Sequence, residues 1–222
     1  MADHWEPGFE TVTDPSTPRP IAGRRPSPAW TGGAAAAVRG HACGLCATRT
    51  QTVFGASATA GGVAGDRRAP GADEDRLGEP FVGRAGKLLD PMLRAVGQNR
   101  EQTYVANILK CRPPENRDPT PEEAAQCRPF LNRQIALIQP RLILAVGRIA
   151  AQNLLATDTP IGKLRGRVHR FGPARVPLVV TYHPAYLLRS PREKRKAWDD
   201  LRLARRTLAI EPSAPTRHPV EP

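Results

Sequence analysis

Short runs of aliphatic and β-branched residues alternate with helical patterns in the middle of the chain. Residues 103–109 (TYVANIL), 141–146 (RLILAV) and 176–181 (VPLVVT) are each followed by a glycine, a proline or a polar turn. Runs of this length and composition are typical of buried strands. Their alternation with helices predicts an α/β domain with a mostly parallel sheet.

The predicted helices have local signals of their own. Residues 120–123 (TPEE) supply a capping Thr, a Pro at the first helical position and a Glu three residues after the cap, so this helix runs to about Ile138. Gly147 opens a second helix, and a basic third one covers residues 191–208. A further helix, GKLLDPMLRAVG, has one apolar face, and Pro91 inside it predicts a kink or a late start.

Composition divides the 222 residues into one domain and two tails. Residues 1–33 are rich in Pro, Ser and charge without an apolar period, and residues 211–222 (EPSAPTRHPVEP) are similar. Such segments cannot bury enough apolar surface to fold, so we expect both to be disordered. The folded domain is predicted at 34–210.

The charge balance points to a polyanion as the partner. The chain has 33 Lys+Arg against 21 Asp+Glu and a net charge of +12, which favours nucleic acid, although a solvated basic surface has the same composition. No stretch approaches the roughly 20 apolar residues of a membrane helix, and the first residues lack a signal-peptide pattern. We expect a soluble, cytoplasmic monomer.

The four cysteines of the chain are candidates for metal binding. Cys43 and Cys46 form a close pair, and Cys111 and Cys127 are sixteen residues apart. In a cytosolic chain, metal or redox chemistry is a better expectation than disulfides. Four thiolates hold either zinc or an iron-sulfur cluster. A zinc ribbon usually has two close pairs, so the wide second pair favours a 4Fe-4S cluster; zinc and unrelated buried thiols remain alternatives.

Polar side chains lie at the predicted strand ends, where α/β proteins bind their ligands. His183 ends the last strand and Asn107 lies near the end of the first. A lone histidine is more often structural than catalytic, and a buried Asn amide serves a nucleic-acid base or a neighbouring turn equally well. Likewise, Phe81 has the plain interpretation of a core residue, and Glu74 and Asp75 that of surface charges.

Several motifs occur in a fixed order: CGLC at 43–46, TQTVFG at 50–55, APGADED at 69–75, GEPFVGRAG at 78–86, ANILKCRPP at 106–114 and HPAYLLR at 183–189. This set, over about 42–208, resembles the family 4 uracil-DNA glycosylases, which carry a 4Fe-4S cluster. The resemblance implies a three-layer α/β/α fold. It also implies hydrolysis of the N-glycosidic bond of deoxyuridine in base excision repair, in a bacterial or archaeal cytosol or nucleoid.

The resemblance also implies roles for the residues of the site. Such an enzyme extrudes the nucleotide and reads the base in a pocket. Phe81 would stack on uracil, Asn107 would match its N3–H and O4, and His183 would donate to O2. Asn116 and an acidic residue of the first loop, Glu74, would position the attacking water.

The remaining implied assignments concern the surroundings of the base. The loop Ala69, Pro70 and Gly71 would border the pocket, and the four cysteines would hold a structural cluster that needs no electron transfer. Uracil-containing DNA is the implied partner. Its phosphates have the following candidate contacts: Arg84, Arg165, Arg167 and Arg189.

One stretch departs from the family pattern. A hydrophobic strand ending in Gly-Glu should precede Ala69, but residues 56–68 (ASATAGGVAGDRR) have no strand pattern and end in Arg67 and Arg68. Codons for residues 62–68 exist that, read one base later, give Glu-Trp-Leu-Val-Ile-Gly-Glu. A local frame error is therefore our hypothesis, and the water-positioning Glu and the central strand are in question.

Two alternative functions stay open. One is an inactive iron-sulfur homologue that binds uracil-containing or abasic DNA without releasing a base, because Arg67 and Arg68 replace the Gly-Glu. The other is a zinc-stabilised nucleic-acid-binding module.

Overall fold

The computed structural model describes residues 44–56, 63–66 and 69–210, and of residues 63–66 it describes the backbone. The expected disorder of the two tails lies outside the described residues. The same holds for Cys43, Arg67 and Arg68.

The described part of the chain contains seven α-helices and three short 3-10 turns. The helices are α1 (Ala72–Leu77), α2 (Arg84–Val96), α3 (Pro121–Ile138), α4 (Arg148–Leu155), α5 (Ile161–Leu164), α6 (Pro184–Arg189) and α7 (Lys194–Ile210). The 3-10 turns are Gly44–Ala47, Pro114–Asn116 and Pro191–Glu193.

Five strands form one sheet: β1 (Val63–Asp66), β2 (Tyr104–Ala106), β3 (Ile143–Val146), β4 (Val168–Phe171) and β5 (Val176–Thr181). Their order across the sheet is β2-β1-β3-β5-β4. The first four positions are parallel, and β4 pairs antiparallel with β5 at the edge. The prediction of a mostly parallel sheet is confirmed.

The strand β1 resolves the doubt about the central strand. Val63 pairs with both Tyr104 and Ile143, so β1 lies between β2 and β3 in the interior of the sheet. No strand pattern is present in the sequence of this segment. Strand pairing, however, uses the N–H and C=O groups of the backbone, and two neighbouring strands override a weak local propensity.

Side chains on the two faces of the sheet belong to different hydrophobic clusters. On one face Ala145 and Val180 pack with residues of α3 and α4, among them Leu131. On the other face Leu144 and Val179 pack with residues of α2, α6 and α7. Because strand side chains alternate between faces, this arrangement makes three layers, with helices on both sides of the sheet.

The local helix signals are confirmed in detail. The Thr120 hydroxyl accepts the backbone N–H of Glu123, and the Glu123 carboxylate accepts that of Thr120. Of the kink or late start predicted for the helix around Pro91, the late start is wrong, because α2 begins at Arg84 and includes that proline. Among the described residues, no helix is both long and apolar enough to cross a membrane.

Candidate active site

A cleft of about 900 Å³ lies at the carboxyl ends of the parallel strands. Loops that follow four strands contribute to its wall: Gly71 after β1, Asn116 after β2, Gly147 after β3 and His183 after β5. This is the edge at which α/β sheets bind ligands. Ala69 and Pro70 also line the cleft, as expected for the first loop.

Glu74 and Asp75 are buried, so their interpretation as surface charges is wrong. The two oxygens of Glu74 accept the backbone N–H groups of Gly71 (3.0 Å) and Gly83 (3.4 Å). Asp75 accepts the backbone N–H of Thr50 at 3.0 Å. The carboxylates therefore tie the loop before α1 to two neighbouring segments, and backbone donors compensate the cost of their burial.

The hydrogen bonding of His183 determines which ring nitrogen carries the proton. Nδ1 accepts the backbone N–H of Ala185 at 2.9 Å, where His183 caps helix α6. In the neutral imidazole, a ring nitrogen that accepts has no proton, so the proton is on Nε2. The structure thus presents His183, a residue of the cleft wall, with Nε2 as its hydrogen-bond donor.

Phe81 is buried and lies beside that histidine. The two ring centroids are 5.8 Å apart and the ring planes differ by 21°. Phe81 also packs with Leu89, Val105 and Ala185. It does not itself line the cleft, and it reaches the site through its contact with His183.

Asn107 follows β2 directly, and only 1% of its surface is exposed. Neither Oδ1 nor Nδ2 of its amide has a hydrogen-bond partner among the described residues. A buried amide usually has its donor and acceptor satisfied, so an open one at a strand end is a candidate for ligand binding. Like Phe81, Asn107 lies behind the residues that line the cleft.

A buried lysine fixes the backbone of Asn107. Lys110 Nζ donates to the Asn107 carbonyl and to Oε1 of Gln134, each at 2.8 Å. Gln134 in turn donates to the Tyr104 hydroxyl and to the Phe54 carbonyl. Burial lowers the pKa of Lys110 to about 7, an effect that Cys127 partly opposes. We did not identify this network from the sequence, because its members are far apart in the chain.

Asn116 lies on the exposed side of the cleft. Its backbone has a φ of 55°, and its Oδ1 accepts a hydrogen bond from Arg112 Nε at 3.0 Å. The preceding Glu115 also has a positive φ, 54°. Two successive residues in this conformation turn the loop after β2 so that Asn116 faces the cleft.

The predicted phosphate-binding arginines differ in their surroundings. Arg84 and Arg189 are exposed, line the cleft and form no ion pair with a described residue. Arg167 is exposed but is not part of the cleft wall. Two further arginines of the cleft wall were not predicted from the sequence, Arg117 and Arg148. Each forms an ion pair with a nearby carboxylate.

Arg165 has a structural environment that argues against a phosphate contact. It forms an ion pair with the fully buried Asp200 at 2.8 Å and also donates to the Lys196 carbonyl. Its guanidinium lies 4.9 Å from the centre of the Tyr182 ring. Burial raises the pKa of Asp200, and Arg165 opposes that shift. Arg165 therefore compensates the burial of the Asp200 carboxylate.

The described cysteines fit an iron-sulfur site in part. Cys111 and Cys127 are buried in one cluster with Leu45, the neighbour of Cys46. Arg49 donates to Cys111 Sγ at 2.8 Å, and a cation beside a thiolate offsets the charge of a thiolate cluster. Among the described residues no three candidate ligands are grouped as for a metal ion. Cys43 lies outside the described residues.

Comparison with known proteins gives a consistent result. Residues 68–202 match the model of the uracil DNA glycosylase superfamily. The type-4 uracil-DNA glycosylase of Archaeoglobus fulgidus is 43% identical over 167 residues, which are 72% of this chain and 83% of that protein. The type-4 enzyme of Thermotoga maritima is 43% identical over 67% of this chain and 78% of its own.

A third relative matches a larger share of the chain. The type-4 uracil-DNA glycosylase of Sulfurisphaera tokodaii is 37% identical over 177 residues, 77% of this chain and 80% of that protein. The matched family residues include β2 to β5 and the walls of the cleft. This chain therefore belongs to the uracil DNA glycosylase superfamily.

Proposed function

We propose that the protein is a uracil-DNA glycosylase of the iron-sulfur type, which releases uracil from DNA and leaves an abasic site. The observation that carries the proposal is the buried Asn107 amide, whose donor and acceptor have no partner among the described residues. On its base-pairing edge uracil presents N3–H beside O4, and a single amide satisfies both.

Discrimination against cytosine follows from the same amide as long as it keeps one orientation, with Nδ2 toward O4 and Oδ1 toward N3–H. Cytosine presents an amino group and a ring nitrogen where uracil presents O4 and N3–H. Nδ2 of Asn107 would therefore meet the amino group, donor against donor, and Oδ1 would meet the ring nitrogen, acceptor against acceptor. Each polar group left unpaired in a buried site costs about 1–3 kcal/mol. Phe81 supplies the aromatic surface on which the extruded base stacks.

Bond cleavage then depends on charge stabilisation. When the bond between C1′ and N1 breaks, the electron pair goes to uracil, and negative charge develops on O2. His183 Nε2–H donates to that oxygen, an electrostatic contribution of the oxyanion-hole type. The oxygen of a water forms the new bond to C1′, and the proton that this water loses neutralises the uracil anion.

The water and the loop around it are held by two further residues. Asn116 lines the exposed side of the cleft, where we place the water. Glu74, for which the resemblance implied a similar role, accepts the Gly71 and Gly83 amides. We assign to Glu74 the task of fixing the loop Ala69–Gly71 at the rim of the pocket.

Uracil-containing DNA would be bound through its phosphates by Arg84 and Arg189, with Arg167 as an outer contact. The exposure of these guanidiniums leaves them able to exchange water and counterions for phosphate oxygens. A monomer in the cytosol or nucleoid is sufficient for this activity, because one chain contributes every wall of the cleft described above.

The 4Fe-4S cluster would be held by Cys43, Cys46, Cys111 and Cys127 as a structural element. When bound, it joins the segment before Thr50 to the loop after Asn107 and to α3. The proximity of Arg49 to Cys111 and of Lys110 to Cys127 supports thiolate ligands at these positions.

The test is release of labelled uracil from a single-stranded oligonucleotide. The protein should release uracil, and His183→Ala and Asn107→Ala should each reduce the rate about 100-fold or more. Asn132→Ala, which removes an exposed amide on α3, should behave as the unchanged protein. A folded protein that binds uracil-containing DNA but releases no base would instead support the inactive homologue.

A further inference from the structure

An arginine outside the cleft wall holds the backbone of Phe81. Arg100 Nη2 donates to the Phe81 carbonyl at 2.8 Å, and Nη1 donates to the Pro80 carbonyl at 3.3 Å. Its Nε pairs with Asp90 on α2 at 2.5 Å. A planar guanidinium has its donors in a fixed geometry, so it orients the acceptors that surround it.

The backbone held by Arg100 is in an uncommon conformation. Phe81 has a φ of 58°, which residues with a side chain rarely adopt and which costs of the order of 1–3 kcal/mol. Such a conformation persists only where the surroundings hold it in place. Here the positive φ sends the carbonyl toward Arg100 and the ring toward His183.

Gly86 makes room for the same carbonyl. A Cβ added at Gly86 would lie 1.7 Å from the Phe81 oxygen and 3.0 Å from Arg100 Nη2. The Gly86 carbonyl also accepts a weaker hydrogen bond from Arg100, at 3.4 Å. The absence of a side chain at Gly86 and the hydrogen bond from Arg100 therefore both fix the position of the Phe81 carbonyl.

We propose that Arg100 is a positioning residue for uracil recognition, acting through Phe81 and, by way of the stacked rings, through His183. This inference rests on the proposed function, in which Phe81 stacks on the extruded base and His183 donates to it. Arg100 itself contacts neither the base nor the DNA. Its hydrogen bonds set the plane on which the base is placed.

Arg100→Met keeps the apolar stem and removes the donors. Inhibition by free uracil, which reports on the base pocket alone, should weaken about 3- to 10-fold, the value of one aromatic stack. The kcat should fall about 100-fold, as expected for a displacement of about 1 Å at the reacting groups. The KM for DNA should stay unchanged, since Arg84 and Arg189 are untouched.

Two comparisons separate positioning from stability. Arg94→Met removes an exposed arginine from α2, the helix that carries Asp90, and should leave both uracil inhibition and kcat as they are. Asp90→Asn removes the ion pair and retains the three carbonyl contacts, so uracil inhibition should change by less than about 2-fold. Millimolar guanidinium should restore part of the activity of Arg100→Ala.

Gly86→Ala displaces the same carbonyl by another route and should weaken uracil inhibition as Arg100→Met does. If Arg100→Met does not fold, uracil inhibition is measured on Gly86→Ala and Arg100→Lys instead. An active wild-type protein with unchanged uracil inhibition in the folded variants would overturn the inference. A wild-type protein that releases no uracil would overturn the proposed function instead.

Discussion

Asn107 and Gln134 are both buried, and both are bonded to Lys110, but through different groups. Lys110 contacts the side-chain oxygen of Gln134 and the backbone oxygen of Asn107. The Gln134 amide also donates to Tyr104 and Phe54, whereas the Asn107 amide has no partner among the described residues. The amide of Gln134 is part of the hydrogen-bond network of the fold, and the amide of Asn107 is the one to which we assign ligand binding.

This difference predicts opposite responses to the same kind of substitution. Asn107→Leu should change the free energy of unfolding by less than about 1 kcal/mol, because no hydrogen bond of the side chain is lost. It should nevertheless reduce uracil release about 100-fold or more. Gln134→Leu should lower the free energy of unfolding by about 2–4 kcal/mol, because three buried groups lose a partner.

The measurement is urea unfolding of both variants beside uracil release from the same oligonucleotide. A large destabilisation by Asn107→Leu would show that this amide has a structural partner. An unchanged midpoint for Gln134→Leu would show that the network around Lys110 contributes little to stability.

The proposed cluster predicts a specific effect of Arg49. The guanidinium donates to Cys111 Sγ, and hydrogen bonds to cluster sulfurs affect the reduction potential. Arg49→Met should lower the midpoint potential and accelerate loss of iron, and Cys127→Ser should abolish the brown colour. Arg76→Met, at an exposed position on α1, should leave potential and iron content unchanged.

Iron and zinc analysis of the purified protein decides between the two metals. Zinc without iron in protein prepared under exclusion of oxygen would contradict the cluster assignment, whatever the activity. Iron in the absence of zinc is the expected result.

The backbone position of β1 gives the frame-error hypothesis a physical test. The shifted reading places Trp-Leu-Val-Ile at residues 63–66, which are the residues of β1. Apolar side chains in an interior strand should raise the free energy of unfolding by at least about 3 kcal/mol. The variant carries seven substitutions: G62E, V63W, A64L, G65V, D66I, R67G and R68E.

A partial variant separates the strand from the site. R67G with R68E supplies the Gly-Glu of the family pattern and leaves β1 as it is, so it should raise activity without the gain in stability. Equal unfolding midpoints for the complete variant and the present chain would contradict the hypothesis. Codons at 62–68 that do not permit the shifted reading would also exclude it.

The start of α3 predicts a pH effect. The hydrogen bond from Arg117 is the main cause that holds the pKa of Glu123 below its usual value, and burial opposes it. A carboxyl whose pKa is lower in the folded state stabilises the protein above its unfolded pKa and loses that contribution as the pH falls through the folded pKa. The contribution should therefore be complete at neutral pH and absent in strong acid.

Glu123→Gln keeps a side chain that can complete the capping box and removes the charge. At neutral pH it should lower the free energy of unfolding by about 0.5–1 kcal/mol, since the Arg117 side of the pair is exposed to water. The difference from the unchanged protein should disappear at acidic pH. Glu122→Gln, an exposed neighbour, is the control. A difference that grows on acidification would contradict the assignment.

Elements with strong local signals were predictable from the sequence. β5 occupies the predicted residues 176–181, and α3 begins and ends where its capping residues and length indicated. The motif order also indicated the family. The antiparallel edge strand β4 and the short helices α5 and α6 were missed, since runs of four to six residues carry too little periodicity.

The candidate site also has a part that the sequence predicted and a part that it did not. The sequence alone determined which polar residues follow the strands, because strand ends and helix caps depend on neighbours in the chain. Only the tertiary structure decided that Glu74 is buried, that Arg165 is committed to Asp200, and that Arg100 holds Phe81. The contacts of Arg165 and Arg100 join residues 35 and 19 positions apart in the chain. No local pattern specifies which distant group will compensate a buried charge or hold a strained peptide.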